Sequence, residues 1–418
     1  MSTTTPSPPA NGDPVLRWSA RADSIAGIEQ ELGRIWAKPD LTADVDGAPG
    51  RHIAARSSVM NLVVIARRPE VAIRGAATIQ ALTGRHPSRT IVVQSADADG
   101  PSWIDARVEA HCILPNEDAP ETCAETIHVT AGGEAGRRLT GIVTPLMIHD
   151  LPVTVWWPNE PPFTSQAAID LFDVADRLVV DGSSWSGDGL ERLRQLARLA
   201  SESDIAISDF ALMRQSRWRE AIAAIFDDPD FLPYLRSIHR VAVTYATHDD
   251  AGDGEANIVK PLYHVAWLAS RLDWSVVKPL HASATHGQTT RPPSGVQRAS
   301  PGTRPLVGRG VAATMSDGRA EVAVSIRPVV STLATGTTLR VELLAERRGS
   351  ELRADVTAEA ETVHVRVWQD GVEALDRRFL AARKGEVELL AEAIETGRAD
   401  AVGRGALQAA ARLIGGST

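Results

Sequence analysis

The stretch Leu151-Pro-Val-Thr-Val-Trp-Trp-Pro158 decides the fold class. It is a short run of β-forming residues that ends in two adjacent tryptophans, and Pro158 stops it. A strand that follows a helix and leaves through a Pro-rich loop is typical of an open α/β sheet. Adjacent strand residues point to opposite faces, so we expect at least one of Trp156 and Trp157 to pack on a helix. The other ring either joins the core or contacts a ligand or partner.

The segments before this strand predict a β-α-β unit. Residues 59–66 form a near-continuous apolar run, which indicates a strand covered on both faces. Pro69 begins a helix, and residues 89–95 form the next strand, so the two strands should pair in parallel through a right-handed crossover. Residues 103–114 then alternate between apolar and polar side chains, which predicts a half-exposed strand antiparallel to residues 125–130.

The second half of the chain mixes helices and strands. A helix carrying Trp218 precedes a strand at residues 239–246, and an apolar stripe over residues 262–272 predicts a further helix. The turn signals Asp317-Gly318 and Asp370-Gly371 indicate an antiparallel meander. Two helices are expected to close the chain.

These patterns predict an α/β fold with a mixed, mostly parallel sheet and flanking helices, followed by an α+β domain with an antiparallel meander. A chain of 418 residues exceeds the size of one core, so two domains are expected. We place a tail and helix over residues 1–50, the α/β domain over 51–185 and the α+β domain over 186–418. Residues 282–303, rich in Thr, Pro, Gly and Ser, are expected to form a mobile loop.

Composition excludes several classes of function. The net charge of −9 argues against a general nucleic-acid binder and against binding to an anionic membrane surface. Lysine occurs only at positions 38, 260, 278 and 384, so the many arginines indicate composition bias, and their abundance is not evidence of phosphate binding. Cys112 and Cys123 are too few for a disulfide scaffold and fit a reducing cytosol. We expect inert buried thiols rather than a redox pair, although the two could approach each other across the hairpin.

The motif search finds no catalytic constellation. Neither Gly-x-Gly-x-x-Gly after the first strand nor a Walker-type loop occurs, no histidine pair has helical zinc spacing, and no Gly-x-Ser-x-Gly elbow is present. The nearest substitute for a phosphate loop is Gly132-Gly-Glu-Ala-Gly-Arg-Arg138. Backbone amides of Gly132, Gly133 and Gly136 at a helix start could hold an anion, with Arg137 or Arg138 adding charge. Glycine clusters also serve as plain βα turns.

Six segments in this order carry a resemblance to a known family. They are Ser58-Val-Met-Asn-Leu-Val-Val64, His86-Pro-Ser-Arg-Thr-Ile-Val-Val93, Leu151 to Trp157, Asp176-Arg-Leu-Val-Val-Asp181, Trp218-Arg-Glu-Ala with Phe226-Asp-Asp-Pro, and Trp267-Leu-Ala-Ser-Arg-Leu-Asp-Trp274. Together they resemble the glucose-6-phosphate dehydrogenase assembly protein (OpcA) family over residues 20–281, and more loosely to the C-terminus.

The resemblance implies a non-catalytic bacterial protein of the cytoplasm, without cofactor or metal, that binds glucose-6-phosphate dehydrogenase. It would promote the enzyme's assembly or act as its allosteric activator, and so support NADPH production by the oxidative pentose phosphate pathway. The chain has 10 Trp against 3 Tyr, and Trp and Arg are common interface anchors. The predicted contact residues are Trp156, Trp157, Trp218, Arg219, Arg85 and His86. The alternative is an enzyme or sensor that binds a sugar phosphate through the Gly132–Arg138 turn.

Overall fold

The computed structural model describes residues 15–37, 58–96, 99–113, 122–248, 256–283, 310–397 and 400–415. The chain divides into two compact units. Unit 1 comprises Met1–Val180 with Gly385–Arg398, and unit 2 comprises Asp181–Lys384 with Ala399–Thr418. None of the helices in these ranges is both long enough and apolar enough to cross a membrane. The predicted mobile loop over residues 282–303 lies outside the described residues from residue 284 onward.

Unit 1 is built on a mixed, mostly parallel sheet. Its strands are β1 Val15–Ala22, β2 Met60–Ala66, β3 Ser88–Ser95, β4 Trp103–Ile113, β5 Thr122–Gly132, β6 Val153–Trp157 and β7 Arg177–Val180. They lie in the order β1-β4-β5-β3-β2-β6-β7. The pairs β5–β3, β3–β2, β2–β6 and β6–β7 are parallel, while β1–β4 and β4–β5 are antiparallel. The predicted parallel β-α-β unit and the predicted antiparallel hairpin are both confirmed.

The helices of unit 1 follow the predicted signals, with one exception. They are α1 Ile25–Trp36, α2 Pro69–Gln80, α3 Gly133–Arg137, α4 Leu139–Leu146, α5 Gln166–Asp173 and, near the C-terminus, α10 Glu386–Glu395. Ser24 caps α1, its hydroxyl accepting a hydrogen bond from the Gly27 amide at 3.2 Å. The sequence pattern predicts a single helix over residues 136–148, and this prediction is wrong: Arg138 has non-helical backbone angles (φ −107°, ψ 68°) and separates α3 from α4.

Burial explains why the central strands read as apolar runs. Every residue of β2 and of β6 is buried, as expected for parallel strands that have helices on both faces. Polar residues among them are satisfied: Asn61 accepts a hydrogen bond from the Ile148 amide at 2.8 Å and donates to the Ile148 carbonyl at 2.9 Å. A buried ion pair joins Arg89 to Glu125 at 2.7 Å.

The two cysteines of unit 1 form a disulfide. Cys112 on β4 lies directly opposite Cys123 on β5, with 4.0 Å between their Cα atoms, and both side chains are fully buried. The expectation of inert thiols is therefore wrong in this structure. The strand register brings the sulfurs together, because β5 begins one residue before Cys123, whereas the sequence pattern predicts a strand that starts only after it.

Unit 2 is built on an antiparallel sheet with one parallel pair. The strands of unit 2 are β8 Ala206–Asp209, which lies outside this sheet, and the eight strands of the sheet: β9 Ile238–Thr247, β10 Ser275–Ala282, β11 Val311–Ser316, β12 Glu321–Val330, β13 Thr338–Arg347, β14 Ser350–Ala358, β15 Thr362–Gln369 and β16 Val372–Leu380. Its helices are α6 Leu190–Glu202, α7 Phe210–Met213, α8 Ser216–Ile225, α9 Val259–Leu272 and α11 Ala401–Ile414. Strands β9 to β16 lie in the order β10-β11-β12-β9-β13-β14-β15-β16.

The predicted meander is confirmed, but β9, which comes earlier in the chain, lies between β12 and β13 in the sheet. This strand pairs in parallel with β12 on one side and antiparallel with β13 on the other. The two predicted turns are present, with Gly318 at φ +85° and Gly371 at φ +80°. Left-handed geometry of this kind favours glycine, which has no Cβ to clash with the backbone. Helix α9 packs on β9, β12 and β13 and so covers this part of the sheet.

Candidate functional site

The adjacent tryptophans of β6 are core residues of unit 1. Trp156 is 0% exposed and Trp157 is 2% exposed. The Trp157 ring lies 6.0 Å from the ring of Phe172 on α5, so it packs on a helix as expected. Neither ring lies on the surface, which corrects the expectation that both serve as surface anchors for a partner.

Arg85 and His86 lie together on the surface of unit 1. Both side chains contact the same carboxylate, that of Glu395 at the end of α10: Arg85 at 2.6 Å and His86 at 3.1 Å. The Arg85 side chain is 60% exposed, whereas His86 is mostly covered at 14%. Of the two, Arg85 is therefore the one that a partner protein can reach.

The glycines of the Gly132–Arg138 turn are required by close packing. A Cβ atom on Gly132 would lie 2.2 Å from the indole nitrogen of Trp103. On Gly133 it would lie 2.5 Å from the Pro101 carbonyl oxygen, and on Gly136 it would lie 2.7 Å from the Ala131 carbonyl oxygen. Tight packing of a βα turn therefore accounts for all three glycines.

The arginines of the same turn face carboxylates. Arg137 approaches Asp99 at 3.4 Å, and Arg138 is ion-paired with Glu134 one helical turn earlier. These four side chains, with Gly100, line an open depression of about 370 Å³. Because each guanidinium already has a carboxylate neighbour and α3 is only five residues long, the depression offers an anion little uncompensated positive charge.

Trp218 and Arg219 lie on α8 in unit 2 beside a buried histidine. The Trp218 ring lies 5.1 Å from the imidazole of His264 on α9. Arg219 donates a hydrogen bond to the Leu212 carbonyl at 2.6 Å. Trp218 and Arg219 are each half-buried, so part of each side chain is accessible from outside the unit.

His264 and Gln215 carry buried polar atoms that have no partner among the described residues. His264 is 0% exposed, and neither ring nitrogen makes a hydrogen bond. Burial lowers the pKa of His264 to about 3, with nearby Arg219 and Lys260 acting in the same direction, so the ring is neutral at pH 7. The Gln215 side chain donates to the Lys260 carbonyl at 2.7 Å, which leaves its Oε1 buried without a donor.

A polar network fixes the chain just before these helices. The Asp181 carboxylate accepts hydrogen bonds from Arg214 at 2.8 Å and from the Ser183 hydroxyl at 2.6 Å. The fully buried Asp209 accepts from the Gly182 amide at 2.9 Å and from the Tyr263 hydroxyl at 2.8 Å. These contacts hold the start of α8 and the first turns of α9 in place.

Four cations lie around this network, and we call them the basic cluster: Arg214, Arg219, Lys260 and Arg383. Burial lowers the pKa of Lys260, Arg214 and Arg383 lower it further by repulsion, and Asp181 partly offsets them. The sequence analysis predicted Arg219 as a contact residue but did not identify the other three members of the basic cluster. The available signal was Lys260 itself, a lysine beside a helix-starting proline in a chain with four lysines.

Over the described ranges, no group of three or more His, Cys, Asp or Glu side chains is arranged to hold a metal ion.

Two family models match the chain. Residues 79–201 match the glucose-6-phosphate dehydrogenase subunit N-terminal domain, and residues 205–407 match the corresponding C-terminal domain. Together these matches span well over half of the sequence.

The chain belongs to the OpcA family.

Curated OpcA relatives match one part of the chain. An OpcA from Synechocystis sp., provisionally named as an OxPP cycle protein, is 27% identical over 206 residues, which is 49% of this chain and 41% of the relative. OpcA from Nostoc punctiforme is 27% identical over 194 residues, 46% of this chain and 39% of the relative. The chain thus spans less than half the length of the curated relatives it matches.

Solved structures show only a distant similarity to this OpcA-family chain. A Gfo/Idh/MocA family oxidoreductase from Vibrio cholerae aligns with TM-score 0.39 and 10% identity over 85% of this chain and 96% of its own. The transcriptional regulator Gal80p from Kluyveromyces lactis aligns with TM-score 0.41 and 8% identity over 81% and 79%. These values are too low to carry an argument about activity.

Proposed function

We propose that this chain is a non-catalytic assembly factor and allosteric activator of glucose-6-phosphate dehydrogenase in the bacterial cytoplasm. The observation that carries the proposal is the pair of family matches, whose descriptions name a subunit of that enzyme. The names of the curated relatives, which refer to the OxPP cycle, agree with it. On this proposal the chain supports NADPH production by the oxidative pentose phosphate pathway.

An activator of this kind works through differential binding. It stabilises the dehydrogenase conformation or oligomer that it binds more tightly, and the shift in population cannot exceed that difference in affinity. A coupling free energy of about 1 to 3 kcal/mol would change the affinity for substrate by about 5- to 150-fold. The partner surface therefore needs stable, exposed anchors and requires no acid–base pair.

Of the six predicted contact residues, three have side chains that are exposed enough to contact a partner protein. Arg85 on unit 1 and the half-buried Trp218 and Arg219 on unit 2 have accessible surface. Arginine and tryptophan at such positions are the residue types that contribute most to protein–protein interfaces. The buried Trp156 and Trp157 support the fold of unit 1 instead.

Co-elution on size exclusion tests whether the chain binds the dehydrogenase, with Arg198→Ala as the matched control for Arg85→Ala. We expect the chain and the glucose-6-phosphate dehydrogenase of the same organism to elute together on size exclusion. Arg85→Ala should weaken co-elution, whereas Arg198→Ala should not. Both arginines form exposed pairs with a glutamate, Arg85 at 2.6 Å and Arg198 at 2.7 Å, so the two variants lose similar surface interactions. Separate elution of the two wild-type proteins would remove the basis for the proposal.

A further inference from the structure

Strand β16 forms one edge of the unit 2 sheet and is exposed along its length. In the described part of the chain it pairs only with β15, so the backbone N–H and C=O groups on its outer side have no strand to bond. Val372 and Leu380, at its two ends, are 70% and 71% exposed. An edge of this kind is a template on which a further strand can pair.

The opposite edge of the same sheet is protected against such pairing. That edge is β10, which contains Lys278 and Pro279, and its register with β11 shifts on both sides of Lys278. Lysine, proline and irregular pairing are common protections of edge strands. By contrast, β16 contains neither residue type, and its pairing with β15 is regular from Leu375 to Leu380. The sheet can therefore be extended at β16.

The side chains of β16 are complementary to those of a second copy of the same strand. A two-fold axis perpendicular to the sheet pairs the two copies antiparallel, and each face of the sheet continues across the contact. With the axis at Arg377, Asp376 of each copy lies opposite Arg378 of the other. Leu375 likewise lies opposite Phe379. Moving the axis by one residue places Asp376 or Arg378 opposite its own copy instead, where like charges repel.

The two charged residues that define this register retain accessible surface. Asp376 contacts His364 at 2.8 Å, and Arg378 contacts Glu359 at 3.2 Å. The side chains of Asp376 and Arg378 are nevertheless 43% and 55% exposed. A carboxylate accepts several hydrogen bonds and a guanidinium has several N–H donors, so each can make a further contact across the edge.

We propose that β16 is the contact between two copies of this chain, which pair antiparallel about a two-fold axis at Arg377. Each eight-stranded sheet of unit 2 then continues into that of the other copy. Backbone hydrogen bonds provide the affinity of such strand addition, and the side chains that face each other set its register. The contact belongs to this chain alone and does not depend on the dehydrogenase.

Sedimentation velocity of the full chain over a range of concentrations tests the contact. We expect a reversible dimer of twice the 44.7 kDa chain mass, with Kd on the order of 10 µM because a single pair of strands is a small interface. Asp376→Arg and Arg378→Asp should each weaken dimerisation at least about tenfold, since each creates two pairs of like charges. Arg377→Thr should strengthen it by about two- to fivefold, because the like charges at the axis are removed.

An equimolar mixture of the two charge variants separates loss of the contact from loss of fold. One copy then presents two cations and the other two anions across the edge, so the mixture should dimerise as the wild type does. Chains that had failed to fold would not recover on mixing. Lys278→Glu, an exposed change on the opposite edge strand β10, is the matched control and should also dimerise as the wild type does.

Three results of these measurements overturn the proposal. They are a wild type that stays monomeric up to about 500 µM, single charge variants that dimerise as tightly as Lys278→Glu, and a mixture that stays monomeric while the wild type dimerises. A monomeric wild type whose co-elution with the dehydrogenase is lost in Asp376→Arg would assign β16 to that enzyme instead. Each of these results leaves the dehydrogenase proposal standing.

Discussion

Substituting Asp209 with asparagine should remove a specific pH dependence from the stability of unit 2. Asp209 is fully buried, and burial raises its pKa from 3.8 to about 6. Hydrogen bonds from the Gly182 and Ala211 amides and from the Tyr263 hydroxyl act in the opposite direction, while Asp181 raises the pKa further. Asparagine keeps an oxygen for the two amides at 2.9 and 2.8 Å, and its NH₂ group can donate to Tyr263.

The size of the effect follows from the two pKa values. In the folded protein the carboxyl holds its proton up to about pH 6, whereas in the unfolded chain it loses the proton near pH 4. The proton therefore stabilises the fold fully below about pH 4, and this contribution is lost as the pH rises to about 6. A difference of about two units corresponds to about 3 kcal/mol in the free energy of unfolding. The amide of the Asp209→Asn variant has no such proton to lose.

Urea unfolding at several pH values between 4 and 7.5 measures this difference. Hydrogen exchange of peptides that contain Gly182 and Ala211 measures the unfolding of unit 2 separately from that of unit 1. The wild type should lose about 3 kcal/mol relative to Asp209→Asn over this range. Subtracting the two curves cancels the titrating groups that do not interact with Asp209. Asp188→Asn is the control, because the half-buried Asp188 also accepts a backbone amide hydrogen bond, from Leu190 at 2.9 Å.

Parallel curves for the wild type and Asp209→Asn would refute this reasoning. So would a pH-dependent difference of the same size for Asp188→Asn. Asp209→Ala checks the hydrogen bonds separately, because it leaves two amides and a hydroxyl without an acceptor. It should be less stable than Asp209→Asn by several kcal/mol at every pH, at about 1 to 3 kcal/mol for each unsatisfied group.

Three substitutions in unit 1 test its packing by thermal unfolding. Gly132→Ala should destabilise the unit by about 2 to 3 kcal/mol, because the added methyl group would overlap the Trp103 indole nitrogen at 2.2 Å. Gly141→Ala within α4 should instead stabilise it by about 0.5 to 1 kcal/mol, because the added methyl group would make only an ordinary van der Waals contact, 3.8 Å from the Arg138 Cβ atom. Arg89→Met should cost about 3 to 5 kcal/mol, because it removes the cation 2.7 Å from the buried Glu125.

Controls make these three results interpretable. Arg198→Met removes an exposed i,i+4 pair with Glu202 and should change stability by less than about 0.5 kcal/mol. The double variant Arg89→Met with Glu125→Gln should recover part of the loss, since it also removes the buried negative charge. A neutral effect of Gly132→Ala, or equal effects of Arg89→Met and Arg198→Met, would show that the described packing is wrong.

Periodicity was sufficient to predict most elements of the fold. The apolar run of β2, the proline that begins α2 and the alternation along β4 each reflect the burial that the structure shows. Element order within a sheet depends on contacts distant in sequence, and these leave no periodic signal. The parallel pairing of β9 with β12 and the pairing of β1 with β4 were therefore not predicted.

The candidate site was harder to predict, because its residues come from separate segments. Trp218 and Arg219 carry the kind of side chain that the sequence search favours, whereas Lys260, His264 and Gln215 become notable only through burial without partners. Conversely, the sequence analysis predicted the adjacent tryptophans Trp156 and Trp157 as contact residues. They are core residues instead, because they lie on a strand that is covered on both faces.

Kinetic titration of the dehydrogenase tests the central claim most directly. The purified chain is added to glucose-6-phosphate dehydrogenase from the same organism, and NADPH formation is followed over a range of glucose 6-phosphate concentrations. We predict a saturable rise in rate or a fall in the half-saturation concentration, by about 5- to 150-fold if the coupling is typical. An unchanged rate law at saturating amounts of the chain would contradict the proposed activation.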